Sequence, residues 1–277
     1  MSSISIQSKR LKNLFQFEWT MYSRFYTLGS IGLLVMIFSL FFIVWFQAAD
    51  NLVWKRGSFS FIFFAGFVFI SIFGIGQSFF DLRSHSRACR YLSLPATTFE
   101  KLLTQFIARL FLPLLLYPIV FWLGANLSID FYFFLQNKVF GNEITPEIEK
   151  VELLYLYWWV PSGQIGTVYW GLFGAILLFP SLMFLGGIVF GKWNSFWMPF
   201  TMAIFWMLIS ACFVAVSFLT NPSRWMFSGE VRFDLSIDQP EVFKGVPLFV
   251  FLIVILIWMA IFLSYLVAFL KLKEREV

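Results

Sequence analysis

The chain is poor in the residues from which most enzyme sites are built. Only 13% of its 277 residues are charged, histidine occurs once and cysteine twice. A water-soluble domain carries about 25% charged residues. The single histidine, His85, cannot form a histidine metal cluster, and His85-Ser86-Arg87-Ala88-Cys89-Arg90 is not a ligand spacing. Cys89 lies in a basic stretch and Cys212 in an apolar run, so they read as plain small residues rather than a disulfide or a reactive pair. A cleavable signal peptide is not expected, because the first apolar run starts only near Thr27 and is too long.

The apolar runs also lack ionisable residues in their interiors, where such residues are expensive and usually functional. Asp81 and Arg109 fall at run boundaries and Asp130 beyond the third run. This argues against a proton- or sodium-coupled carrier and against a membrane-embedded enzyme, although backbone-coordinated sodium would leave no such mark. Gly186 to Lys192 matches the first seven positions of a phosphate-binding loop, but Trp193 stands where Ser or Thr is required. No ATP site and no catalytic constellation is expected in this chain.

What is present is apolar and aromatic: 60% hydrophobic residues, 40 of them Phe, and a mean hydropathy of +0.82. The apolar runs are long enough for bilayer-spanning helices, which need about 20 residues. They lack the alternation of barrel strands. The expectation is an all-α integral membrane protein with six transmembrane helices, at about 27–47, 59–80, 110–127, 166–190, 196–219 and 246–270. Pro113 and Pro118 should loosen the third, and the fourth and fifth should form a tight hairpin.

Before these runs, residues 1–26 form a polar tail and a basic, aromatic segment. Lys9, Arg10, Lys12 and Arg24 carry charge, while Leu11, Phe15, Trp19, Tyr22 and Tyr26 recur at helical spacing. Two readings are open: an N-terminal amphipathic helix lying in the headgroup layer, or a cytoplasmic extension of the first span. The segment 81–109 is the main basic interruption. Leu82 to Leu92 can form a short amphipathic helix with Arg83, Arg87 and Arg90 on one face. Pro95 then breaks the chain, and Thr97 or Thr98 can cap a new helix through Glu100.

Two longer polar segments, 128–165 and 220–245, remain. The first holds Glu143, Glu147, Glu149 and Glu152 before Tyr155, Tyr157, Trp158 and Trp159. It reads as a helix capped by Thr145 with Pro146 in its first turn, lying on the membrane or dipping into it. In the second, alternating Val231, Phe233, Leu235 and Ile237 suit a short hairpin as well as a loop. Paired glycines in the runs suit either ordinary bundle packing or a dimer seam. With the N-terminus inside, most Lys and Arg fall inside and most Asp and Glu outside. Both termini and 81–109 are therefore expected in the cytoplasm. The net charge of +5 is then a topology signal that needs no nucleic acid.

The order of these parts resembles the permease subunit of ABC-2 type (type V) transporters. Leu92-Ser93-Leu94-Pro95-Ala96-Thr97-Thr98-Phe99-Glu100-Lys101-Leu102-Leu103 looks like that family's LPxSxxExxxxK region after the second span. Thr97 or Thr98 stands near the hydroxyl position and Glu100 at the acid, but Lys101 follows the acid directly. The resemblance implies a single permease domain over 1–277 in the bacterial inner membrane. A separate P-loop ATPase would hold ATP and Mg, and a second permease copy, identical or related, would complete the transporter. It implies a coupling helix between the second and third spans, with Arg83, Arg87, Arg90, Glu100 and Lys101 as contacts for the ATPase; a basic loop touching lipid headgroups is the other reading. Export is also implied, and the aromatic spans would tolerate a lipid-like or amphipathic cargo. A non-transporting membrane scaffold and a secondary transporter are the rival readings.

Overall fold

The computed structural model describes residues 8–47, 53–54, 59–140, 147–148, 150–151, 166–220, 241–243 and 246–276. Helices dominate them. Strand is confined to two short pairs, β1 (Val53–Trp54) with β2 (Glu147–Ile148), and β3 (Glu241–Phe243) with β4 (Val246–Pro247). Among the described residues, five helical stretches are long and apolar enough to cross a membrane: Ser8–Phe46, Ser60–Gln77, Thr98–Val139, Tyr169–Val189 and Phe251–Glu276. The chain is thus a multi-pass, all-α membrane protein.

The first helix, α1, runs unbroken from Ser8 to Gln47. At 1.5 Å per residue it is about 60 Å long, roughly twice the hydrocarbon thickness. The basic segment from Ser8 and the first apolar run are one rod, so among the described residues the basic segment is a helical extension of the first span rather than a separate helix. No proline interrupts the stretch, which includes Gly29 and Gly32.

Helix α2 (Ser60–Phe73) is shorter than its apolar run. Gly74 ends it, a 3₁₀ turn spans Ile75–Gln77, and Phe79 takes a left-handed conformation with φ of 56°. That conformation costs a side-chain-bearing residue about 1–2 kcal/mol. It is held because the Phe79 ring is buried against Phe184 and its N–H donates to Gln105 Oε1 at 3.3 Å. The chain then turns through Phe80–Arg83 into α3 (His85–Leu92). The expected helix from Leu82 is therefore split: Ser84 is extended, and Arg83 lies outside α3.

Helix α4 (Thr98–Gln105) begins after Pro95, as the sequence indicates, and it does not stop before the third apolar run. It passes through a π-helical stretch, Phe106–Phe111, into α5 (Leu112–Leu135), and ends in a second one, Gln136–Phe140. Pro113 accounts for the first stretch. It has no N–H to bond four residues back, and Leu112 N–H reaches instead to Ile107 O, five residues back. The predicted loosening at Pro113 is thus a π-turn, while Pro118 lies inside α5. The helix also overruns its predicted end at Leu127, taking in residues that were expected in an external loop.

Helix α6 (Gly166–Val189) and α7 (Asn194–Thr220) form the tight hairpin, joined through Gly191–Trp193. Helix α8 runs from Leu248 to Glu276, six residues past its apolar run. Over the described residues the helix predicted from Pro146 is absent: Glu147–Ile148 is strand and Lys150 and Val151 are not helical. Asn126 explains the end of this stretch. Its side chain donates to Val151 O at 3.0 Å and accepts from Val151 N–H at 3.1 Å, occupying both backbone groups a helix would need. The remainder of that segment, and Val231 to Ile237, lie outside the described residues.

Two cores result. In one, α1, α2 and α5 meet around Ile37, Phe41, Trp45, Phe63, Tyr117 and Phe121. In the other, the elbow after α2 meets α6 and α8 around Ile75, Phe79, Phe184, Ile188, Ala268 and Leu272. The most extensive helix pairings are α6 with α8 and α1 with α5. The elbow, the early turns of α1, the α6–α7 turn and the last turn of α8 all gather at one end of the bundle.

Candidate functional site

The elbow at residues 76–109 is where local sequence signals and long-range polar contacts converge. Its start is fixed by glycine. A Cβ on Gly187 would lie 2.7 Å from Ser78 O, so α6 can approach the turn only without a side chain there. Asn194, at the start of α7, donates to Gly76 O at 2.8 Å and to Met183 O at 2.9 Å, tying the hairpin to the same turn. Of the glycines of the phosphate-loop lookalike, Gly186 and Gly187 are thus used for close packing, Gly191 supplies the left-handed turn with φ of 57°, and Lys192 lies 5.6 Å from the Trp193 ring.

The three arginines of the predicted face do different things. Arg83 turns inward, donating to Gly76 O at 2.9 Å and to Gln77 Oε1. Burial pushes its guanidinium below the usual arginine range, and Arg109 adds to this. Arg87 and Arg90 are exposed, with Arg87 5.0 Å from the Phe80 ring and Arg90 5.9 Å from the Phe17 ring. Only these two leave α3 with a cationic outer surface. His85 and Cys89 are also exposed there, 3.6 Å apart, and no cluster of three metal-type ligands occurs among the described residues.

Glu100 and Lys101 were expected to meet a partner, and both face inward instead. Thr97 Oγ1 accepts from Glu100 N–H at 3.2 Å, and Glu100 Oε2 accepts from Thr97 N–H at 2.9 Å. This is a capping box, in which each side chain satisfies an otherwise orphaned helix N–H. Glu100 is fully buried by it. Lys101 is 2% exposed; its Nζ donates to Leu92 O at 2.8 Å and pairs with Glu276 at 2.9 Å. Neither side chain offers a surface to another protein in this conformation.

Beneath the elbow lies a second charge cluster that composition gave little sign of. Arg109 Nε donates to Glu18 Oε1 at 2.7 Å, and both side chains are 3% exposed. Gln105 donates to Glu18 Oε2 at 3.2 Å and Tyr26 OH to Glu18 Oε1 at 3.0 Å. Tyr22 OH donates to the buried Asp81 at 2.6 Å. The Arg109 guanidinium stacks over Tyr22 at 4.3 Å and lies 5.1 Å from Tyr26. Tyr91 is buried above this cluster; burial first, and the carboxylates of Glu18 and Asp81 second, push its hydroxyl well above the usual range. A cleft of about 210 Å³ opens beside the pair between α1, α2 and α5, lined by Tyr26, Gly29, Phe73, Arg109, Pro113 and Tyr117.

Of the residues assigned to a headgroup-facing helix, Lys9, Arg10, Lys12, Trp19 and Arg24 are exposed, while Tyr22 is turned inward to Asp81. Glu18 is a site residue that the sequence reading does not single out. Its spacing was the available signal: Glu18, Tyr22 and Tyr26 repeat every four residues, placing a carboxylate and two hydroxyls on one helix face. Comparison of the chain with family models, curated proteins and solved structures finds no match.

Proposed function

We propose that this chain is the membrane-spanning permease subunit of an ABC transporter of the ABC-2 type, moved by ATP that a separate P-loop ATPase hydrolyses. On this reading six helices cross the bacterial inner membrane, with α7 as the sixth, and both ends of the chain and the elbow lie in the cytoplasm. A second permease copy completes the path, and the cargo is lipid-like or amphipathic and exported.

The observation that carries the reading is the form of α3. It is a short, exposed, cationic helix at one end of the bundle, set between two breaks and backed by the buried Glu18–Arg109 pair and by the buried Lys101 with its partner Glu276. An element with a free outer face and a rigid inner face is suited to receive a push. Arg87 and Arg90 are its outward charges. They would meet an acidic groove on the ATPase, and docking would depend on salt.

The test is the double substitution Arg87→Glu/Arg90→Glu in the native membrane complex. The expected outcome is loss of the co-purifying ATPase with the permease still folded. Retention of the ATPase at wild-type stoichiometry would overturn the assignment.

A further inference from the structure

We infer that Glu276 and Arg275, in the last turn of α8, are positioning residues that fasten the α3–α4 elbow to α6 and α8, so that displacement of α3 reaches those helices. The inference rests on the coupling reading above and adds the route by which motion leaves the elbow.

The geometry is two-pronged. Glu276 reaches the first turn of α4, where Oε1 pairs with Lys101 Nζ at 2.9 Å and Oε2 accepts from Thr98 Oγ1. A carboxylate is favoured at a helix N-terminus by the exposed N–H groups there. Arg275 points the other way, donating to Ile188 O at 2.9 Å and Leu82 O at 3.4 Å. Ile188 lies at the end of α6, where a cation is favoured for the same reason with the sign reversed. Leu82 belongs to the turn that leads into α3.

Lys101 closes the linkage. Its ammonium is buried and also donates to Leu92 O, on the last residue of α3. A buried cation needs a counter-charge, and Glu276 supplies it. One lysine therefore joins the end of α3, the start of α4 and the end of α8. One and two turns earlier, Leu272 and Ala268 are fully buried in the core that contains Leu82 and Ile188. The last turn of α8 is thus seated by apolar packing and steered by two charges. Lys271 and Glu274, exposed and paired with each other, serve as the internal control.

Two readouts on the full chain in lipid nanodiscs test this. The first is amide hydrogen exchange over residues 92–104. Glu276→Gln should speed it about tenfold or more, Glu274→Gln should not, and in a Lys101→Met background the Glu276→Gln change should add less than about twofold. Exchange in Glu276→Gln within about twofold of wild type overturns the tie, as does simple multiplication of the two effects.

The second readout uses the complex with its ATPase. Spin labels at Val35→Cys and Leu256→Cys, in a Cys89→Ser/Cys212→Ser chain, should change separation on adding ATP and Mg. Glu276→Gln should retain the ATPase yet lose most of that change, which a purely structural role would not produce. A variant keeping the full change overturns the positioning role while leaving the coupling reading intact. No change in the unsubstituted complex overturns the coupling reading itself, and the positioning role with it.

Discussion

Around Trp45 and Phe121 the helices meet through rings; around Glu18 and Arg109 they meet through charges. In the first region Phe41 lies 5.6 Å from Trp45, 5.4 Å from Phe59 and 5.7 Å from Phe121, and Phe63 makes an edge contact with Phe121 at 4.9 Å. Polar bonds support it: Trp45 Nε1 donates to Ser128 at 3.1 Å, and Tyr117 OH donates to Phe63 O. In the second region, side chains from α1, the elbow, α4 and α8 meet in ion pairs and charge-assisted bonds. The difference is one of failure mode. Lipid tails are as apolar as phenylalanine, so a ring contact yields dispersion and shape fit rather than exclusion of water. Its loss is graded. A buried charge is either paired or costly, so its loss is abrupt. A region that must move between discrete arrangements is better served by the second kind of contact, and a region that must hold the helices together by the first.

The sharpest way to break the comparison is at Glu18 and Arg109. Glu18→Gln leaves the buried guanidinium without its carboxylate, and Arg109→Met leaves the reverse. Each should destabilise the fold by about 3–5 kcal/mol. Because the cost is that of an orphaned charge, Glu18→Gln/Arg109→Met should be less harmful than either single change. Denaturant unfolding in a defined detergent–lipid mixture checks this. Additive losses would mean that the two residues act separately and that the region is held by something other than their pairing.

The ring region should behave otherwise. Phe121→Ala removes a fully buried ring that contacts Phe41, Phe63 and Tyr117. In a water-soluble core this costs about 3–5 kcal/mol. Here roughly 1–2 kcal/mol is expected, because neighbouring rings or acyl chains can fill the space without meeting water. The same unfolding measurement decides it. A loss as large as that of Glu18→Gln would erase the distinction between the two regions.

The legible parts of this molecule were those specified over short distances. Long apolar runs mark α6 and α7 nearly to the residue, and Pro95, Thr97 and Glu100 mark the start of α4. What stayed hidden was specified across the chain. Glu18 and Arg109 are 91 positions apart, and nothing near either names the other. Lys101 looked like a surface contact because its partner, Glu276, lies 175 positions away. The segment after Pro146 has helix-start residues, but Asn126 of α5 takes the backbone groups of Val151. The aromatic spacing of α1 fits an interfacial helix and a continuous rod equally well, and the inward bonds of Tyr22 and Tyr26 were not visible in that spacing.

The smallest effect should come from the capping box, which is local in sequence and buried in the fold. Thr97→Ala removes the acceptor for Glu100 N–H but keeps the backbone N–H from which Glu100 Oε2 accepts, so only one half of the box is lost. The usual cost of a lost N-cap is about 1 kcal/mol. Thr97→Ser keeps the oxygen and should cost close to nothing. The two variants, compared by thermal unfolding, separate the hydroxyl from the methyl. They also locate the boundary between the regions. If Thr97→Ala costs only the local amount, α4 is held mainly by the ion pairs at Lys101 and Arg109. If it costs several times more, the cap itself keeps Lys101 in reach of Glu276, and the charge region depends on a local signal after all.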